Sequence, residues 1–193
     1  MIGSLLLPII YRDFSLTKSD IQLEILEYGK QELLKKLSDG LLDMVFLPHN
    51  APIEETFKRQ KVAQFEIVCC CSKKNPIAKR KKIQLSDLNN TPLVLFENSF
   101  FQTAEIKKRF SIAKIVPNIL LQTSQLSTML SLISNDTSVG FAFNKLLRLH
   151  PDIVGIPLEE PLVVDISLVW RKEVYFSHSM KLFQEYITKN FQF

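Results

Sequence analysis

Three adjacent cysteines, Cys69-Cys70-Cys71, are the densest reactive chemistry in the sequence. On a strand their side chains would alternate, with Cys69 and Cys71 on one face and Cys70 on the other. They read as small buried hydrophobes, with a thiol sensor as the alternative. The odd number of unspaced cysteines does not fit a disulfide-stapled secreted fold. His49, His150 and His178 lie far apart, with no second His or Cys at metal-ligand spacing. The carboxylate pairs Glu54-Glu55 and Glu159-Glu160 sit beside Pro52 and Pro161, so they read as solvated connections rather than as an acid and a base. A nucleophile needs a base and a strained or helix-initiating setting, and neither a G-x-S-x-G elbow nor such a cysteine occurs. The five glycines, Gly3, Gly29, Gly40, Gly140 and Gly155, are too scattered for a phosphate-cradling loop. No catalytic residue, metal site or cofactor is expected, and the chain is not expected to be an enzyme.

Binding chemistry is better represented than catalysis. Tyr28-Gly29-Lys30-Gln31 and Gln122-Thr123-Ser124-Gln125 each follow an apolar run and open a helical pattern. Free amide N–H groups at such starts attract anions and carboxylates, whereas plain N-capping by Thr123 or Ser124 is the alternative reading. Between Lys73 and Lys82 six basic residues occur without an acid, which suits either a solvated loop or a phosphate-contacting patch. Bulk charge does not choose between them: 24 Lys+Arg against 20 Asp+Glu leave only +4. With 193 residues, 46% hydrophobic and 23% charged, the composition is that of a globular chain. No secretory signal pattern or membrane-spanning run is seen, so the expected location is cytoplasmic.

The elements that must position these residues alternate in type. IQLEILE (21–27) alternates with a period of two and reads as a strand. KQELLKKLSDG (30–40) reads as a helix closed by Gly40, and DMVFLP (43–48) as a second strand parallel to the first. KVAQFEIVCCCS (61–72) is a further strand. The pattern continues with strand PLVLF, helix FFQTAEIKKRF, strand NILLQT, helix SQLSTMLSLIS, strand SVGFAF and helix NKLLRLH. A strand ISLVWRK and a final helix with Met180, Phe183, Tyr186 and Ile187 on its apolar stripe complete it. The fold class is α/β, with doubly wound units.

This order of segments resembles the effector-binding domain of LysR-type transcriptional regulators. The resemblance is carried by GSLLLPIIYRDF, IQLEILEYGKQELLKKLSDGLLDMVFLP, FEIVCCCSKKNPIA with LSDL, QTSQLSTMLSLISNDTSVGFAF and LVWRKEVYFSHSMKLFQEYI. It implies two subdomains of periplasmic-binding-protein type II joined by crossover strands, with subdomain I at 1–66 and 165–193 and subdomain II at 67–164. It also implies transcription regulation by a small effector held in the cleft between them. By position, subdomain I would supply Ser4, Gly29, Lys30, Leu47 and Pro48. Subdomain II would supply Phe100, Phe101, Thr123, Ser124, Gln125 and Phe143. Lys30 departs from the Ser or Thr that many members carry there; with the helix starts it suggests a carboxylate, and the phenylalanines suggest an apolar body.

Family members place a DNA-binding helix-turn-helix, a linker helix and a first strand ahead of the matching residues, and none of these is in the sequence. Operator DNA is therefore expected to be bound only through such a segment. The chain is expected to gain stability when extended upstream by a strand of about eight residues. A homodimer or tetramer is expected, pairing the first helix (Leu5 to Phe14) of one chain with Ser124 to Ile133 of another. No membrane partner is expected. A solute-binding protein of a transporter with the same fold is the alternative function.

Overall fold

The computed structural model describes residues 2–18, 20–49 and 52–191. Backbone proximity divides the chain into two compact units, one built from Ile2–Phe65 and Val164–Phe193, the other from Glu66–Val163.

In the first of these units, helix α1 (Ile2–Thr17) carries Leu6, Ile10 and Phe14 four residues apart, which stacks them on one face. All three are buried, and α1 packs on the last helix, α5 (His178–Asn190). There Phe14 meets Phe183 edge-on, with ring centroids 5.3 Å apart, and Tyr186 at 5.2 Å. Helix α2 (Lys30–Ser38) ends at Gly40, whose φ of +76° is the left-handed conformation that glycine adopts without cost. Strand β1 (Val45–Pro48) pairs antiparallel with β7 (Leu162–Arg171), Leu47 opposite Ser167. Leu37 of α2, Val45 and Leu47 of β1, Phe57 of the long strand β2 (Phe57–Ser72) and Val169 of β7 form one core.

The strand expected at 21–27 does not form. Ile21, Leu23 and Ile25 are half-buried while Gln22, Glu24 and Leu26 are exposed, so the alternation is real, but no ladder joins the segment to a described strand. A strand is completed by a neighbour's donors and acceptors, and alternation alone supplies none. The parallel pairing expected for 43–48 is also replaced, because β1 runs antiparallel to β7.

In the second unit, β3 (Leu93–Phe96) and β4 (Ile119–Thr123) pair in parallel across α3 (Phe101–Ile112). Leu93 also bridges Val139 in parallel, which brings β5 (Gly140–Phe143) alongside β3. The second half of β2 runs between two antiparallel neighbours: β5, with Cys69 opposite Phe141, and β6 (Ile153–Ile156), with Cys69 opposite Ile156. Helix α4 (Leu126–Ser134) covers this sheet through Met129, Leu130 and Ile133, which pack with Val68, Cys70, Val94, Phe96 and Ala142. The helix expected at 144–150 is a 3-10 turn, Asn144–Leu149. Strand β6 was not anticipated: its four residues lie between Pro151 and Pro157 and contain a glycine. A Cβ on Gly155 would stand 2.6 Å from both Leu147 Cδ1 and Val68 Cγ2, so only glycine permits this approach.

Candidate functional site

In the Glu66–Val163 unit, three neighbouring strands end together. Phe96 of β3 is in register with Thr123 of β4, and β5 leaves the sheet at Phe143. The links are short: Glu97 N–H donates to the Thr123 carbonyl at 3.2 Å, and buried Thr103 Oγ1 donates to the Phe96 carbonyl at 2.9 Å, tying the first turn of α3 to the end of β3. Phe100, the N-cap of α3, stacks on Phe96 with centroids 4.8 Å apart and planes 22° from parallel. Phe100 and Phe101 are half-buried, whereas Phe143 is buried in the core.

Helix α4 starts two residues later than the sequence suggested. Gln125 is its N-cap and gives no side-chain bond to the helix backbone. Thr123 Oγ1 accepts from Gln125 N–H at 3.0 Å, and Gln125 Oε1 accepts from Thr128 Oγ1–H at 3.1 Å. Ser124 is exposed between them. Thr123 therefore shapes the turn, while the first-turn N–H groups of α4 receive nothing from the N-cap side chain, the state in which a helix start accepts an anion.

Gln102, absent from the sequence reading, lies at the same strand ends. Its side chain is 6% exposed, and its Nε2–H donates to the Phe141 carbonyl. A carbonyl can only accept, so the amide nitrogen must face Phe141 and the amide oxygen must face away. That oxygen has no hydrogen-bond partner among the described residues. A glutamine inside FFQTAEIKKRF carries no sequence signal for this, because its burial depends on the distant strand β5.

In the other unit, Ser4 lies exposed in the first turn of α1 and lines an open groove of about 640 Å³ with Leu7, Tyr11, Ile25 and Tyr28. The carboxylate of Glu27 reaches Gly3 in that turn, where a Cβ would clash with its Oε1. Gly29 is the N-cap of α2 and also gives no side-chain bond; a Cβ there would meet nothing, so the position does not require glycine. Lys30 is half-buried as the first residue of α2. The Leu47 side chain belongs to the core, and Pro48 ends β1.

His49, immediately after Pro48, was also unremarked as part of a site. Its Nδ1 lies 2.6 Å from Oγ of Ser167, a hydroxyl buried completely on β7. Its backbone N–H donates to the Asp165 carbonyl at 2.7 Å, and its carbonyl accepts from Arg59 Nη1. The nearest signal was its place directly beyond the predicted Leu47–Pro48 wall.

The three thiols are fully buried. Burial pushes the Cys69 and Cys70 pKa values well up and that of Cys71 to about 11, so none presents a thiolate near neutrality. Among the described residues no three His, Cys, Asp or Glu side chains gather as metal ligands, and no helix is long and apolar enough to cross a membrane.

A family model described as the LysR substrate binding domain matches residues 1–192. The chain is 26% identical over 196 residues to the uncharacterized HTH-type transcriptional regulator YwbI of Bacillus subtilis (strain 168), covering 99% of the chain and 64% of that regulator. Its fold is similar to that of the effector binding domain of QuiR in complex with shikimate, with a TM-score of 0.83 at 19% identity over 98% of this chain and 92% of that one. It is similar also to the Synechocystis PCC6803 CcmR regulatory domain in complex with 2-PG, with a TM-score of 0.87 at 12% identity over 98% and 93% of the two chains.

Proposed function

The chain belongs to the LysR substrate binding domain family, and from that premise we propose that it is the ligand-sensing part of a transcription regulator, binding a small effector without turning it over. The observation that carries this reading is the convergence at the ends of β3, β4 and β5: the uncapped start of α4 after Thr123-Ser124-Gln125, the stacked Phe96–Phe100 pair and the unmet Gln102 oxygen. A carboxylate suits the α4 N–H groups, a flat or cyclic body suits the phenylalanine faces, and a hydroxyl on that body would give Gln102 Oε1 its donor. Gly29-Lys30 and Ser4 remain the candidate effector contacts of the unit that holds them, with Lys30 placing a positive charge at the start of α2. Effector binding acts by favouring one arrangement of the regulator over another. The regulator works in the cytoplasm as a dimer or tetramer, with the exposed side chains Ile9 and Tyr11 of α1 available for the expected pairing with α4.

Shikimate, a hydroxylated cyclic carboxylate, and 2-PG are the first probes, because the QuiR and CcmR domains were solved with them. A ligand present at about 100 times its Kd stabilises the native state by about 2.7 kcal/mol, which in a chain of this size raises the Tm by roughly 5 to 10 °C. Ser124→Trp should remove that rise while leaving the unliganded Tm within about 2 °C. A rise that survives in Ser124→Trp would put the effector elsewhere.

A further inference from the structure

The basic run left open by the sequence is a built surface. Lys73, Lys74, Lys79, Arg80, Lys81 and Lys82 are all exposed on a single ten-residue loop. Both ends of the loop are pinned to the β6 region. Ser72 pairs with Ile153 and Lys73 N–H donates to the Asp152 carbonyl at 3.0 Å; at the other end Ile83 N–H donates to the Pro157 carbonyl at 2.9 Å and Glu159 N–H to the Ile83 carbonyl at 2.8 Å. Its middle is a 3-10 turn, Pro76–Lys79, capped by Asn75, whose amide also donates to Asp136 Oδ1 at 2.7 Å. Ile77 and Ala78 are half-buried and hold the turn down.

Four acidic residues border the six cations: Asp136 and Asp152 through the contacts just given, and Asp87 and Glu159 as ion-pair partners. Arg80 pairs with Asp87 at 2.9 Å and Lys82 lies 4.0 Å from Glu159. Lys73, Lys74, Lys79 and Lys81 have no carboxylate partner among the described residues. The run contains no aromatic residue, and its apolar members are only exposed Pro76 and half-buried Ile77 and Ala78, so it offers no base stacking and little apolar surface for lipid or for the centre of a protein interface.

We propose that this loop is a docking surface for the phosphate backbone of duplex DNA, engaged by Lys73, Lys74, Lys79 and Lys81. The contact is independent of base sequence, since backbone contacts position a protein without reading bases. It is separate from effector sensing and from operator recognition.

Fluorescence anisotropy of a labelled random-sequence duplex of about 20 base pairs tests it with the chain alone. Four phosphate contacts predict that affinity falls on the order of a hundredfold between about 50 and 200 mM salt. Neutralising the loop with Lys73→Gln, Lys74→Gln, Lys79→Gln and Lys81→Gln should lower affinity by a similar factor at the lower salt. The pair Lys79→Gln and Lys81→Gln should lose about tenfold, which keeps the test open if the fourfold variant folds poorly. Neutralising four exposed lysines of the other unit, Lys35, Lys58, Lys172 and Lys181, makes the same change in net charge and should leave affinity within about threefold. Equal losses in the two fourfold variants, retained affinity in the loop variants, or no binding by the unmodified chain at low salt would each overturn the proposal. So would tighter binding to phosphatidylserine vesicles than to the duplex.

Discussion

The segments Ile21–Glu27 and Phe65–Cys71 both put apolar side chains at alternate positions, yet only the second is a strand. In β2, Ile67–Cys70 pair with β5 and Cys69–Ser72 with β6, and Ile67, Val68, Cys69, Cys70 and Cys71 are fully buried. Around Ile21–Glu27 the same alternation yields a half-buried face and no ladder. Period-two patterning decides which side chains turn inward; whether a ladder forms depends on a neighbour, which a local pattern does not encode.

The sharpest way to break this comparison is to remove side chains from each region. Phe141 is fully buried opposite Cys69, so Phe141→Ala should cost about 3 to 5 kcal/mol. Leu23→Ala should cost less than about 1 kcal/mol, because half of its surface gain is already missing. Urea unfolding read by far-UV circular dichroism compares the two. The fluorescence of Trp170, the only tryptophan, reports separately on the unit built from Ile2–Phe65 and Val164–Phe193. Comparable losses at Phe141 and Leu23 would mean that 21–27 is bound into the fold as firmly as β2.

The glycines sharpen it at lower energy. Gly155→Ala in β6 drives a methyl group to 2.6 Å from two side-chain carbons in the packed region around β2, and should cost about 1 to 3 kcal/mol through overpacking. Gly40→Ala meets only the end of the Arg171 side chain, at 2.9 Å, which can move aside. Its cost is the left-handed backbone, about 1 to 2 kcal/mol. Reversal of this order in urea midpoints would show that the sheet around β6 yields more readily than the α2 turn.

What the sequence disclosed follows the same division. Long periodic segments, such as the final helix with Met180 and Ile187 buried, were legible because their pattern and their partner face coincide. β6 was illegible because four residues with an internal glycine carry too little pattern; its existence rests on packing between Val68 and Leu147. At the site, the turn Thr123-Ser124-Gln125 could be read from residue type, though the N-cap proved to be Gln125. Gln102 and His49 could not, since each is defined by a residue distant in sequence, Phe141 and Ser167 respectively.

The smallest expected effect lies on β7, where charge adds to pairing. Asp165 Oδ1 accepts from Lys61 Nζ and from Gln64 Nε2, both at 2.8 Å. The Lys61 contact is the main cause of its lowered pKa, opposed by partial burial and aided by Gln64. A carboxylate whose folded pKa lies below its unfolded value, about 3.9, contributes stability that is present above that value and is lost as pH falls through the folded pKa. The pair is about one-third and one-half exposed, with side-chain accessibilities of 32% for Asp165 and 46% for Lys61. Screening therefore limits the contribution to under about 1 kcal/mol. Asp165→Asn should be less stable than the parent at pH 7 and should converge on it once the pH has fallen through the lowered folded pKa, with the gap at pH 7 narrowing in about 1 M salt. A gap that persists unchanged at low pH would assign the effect to hydrogen-bond geometry at Gln64 rather than to charge, and β7 would then be held to β2 by neutral contacts alone.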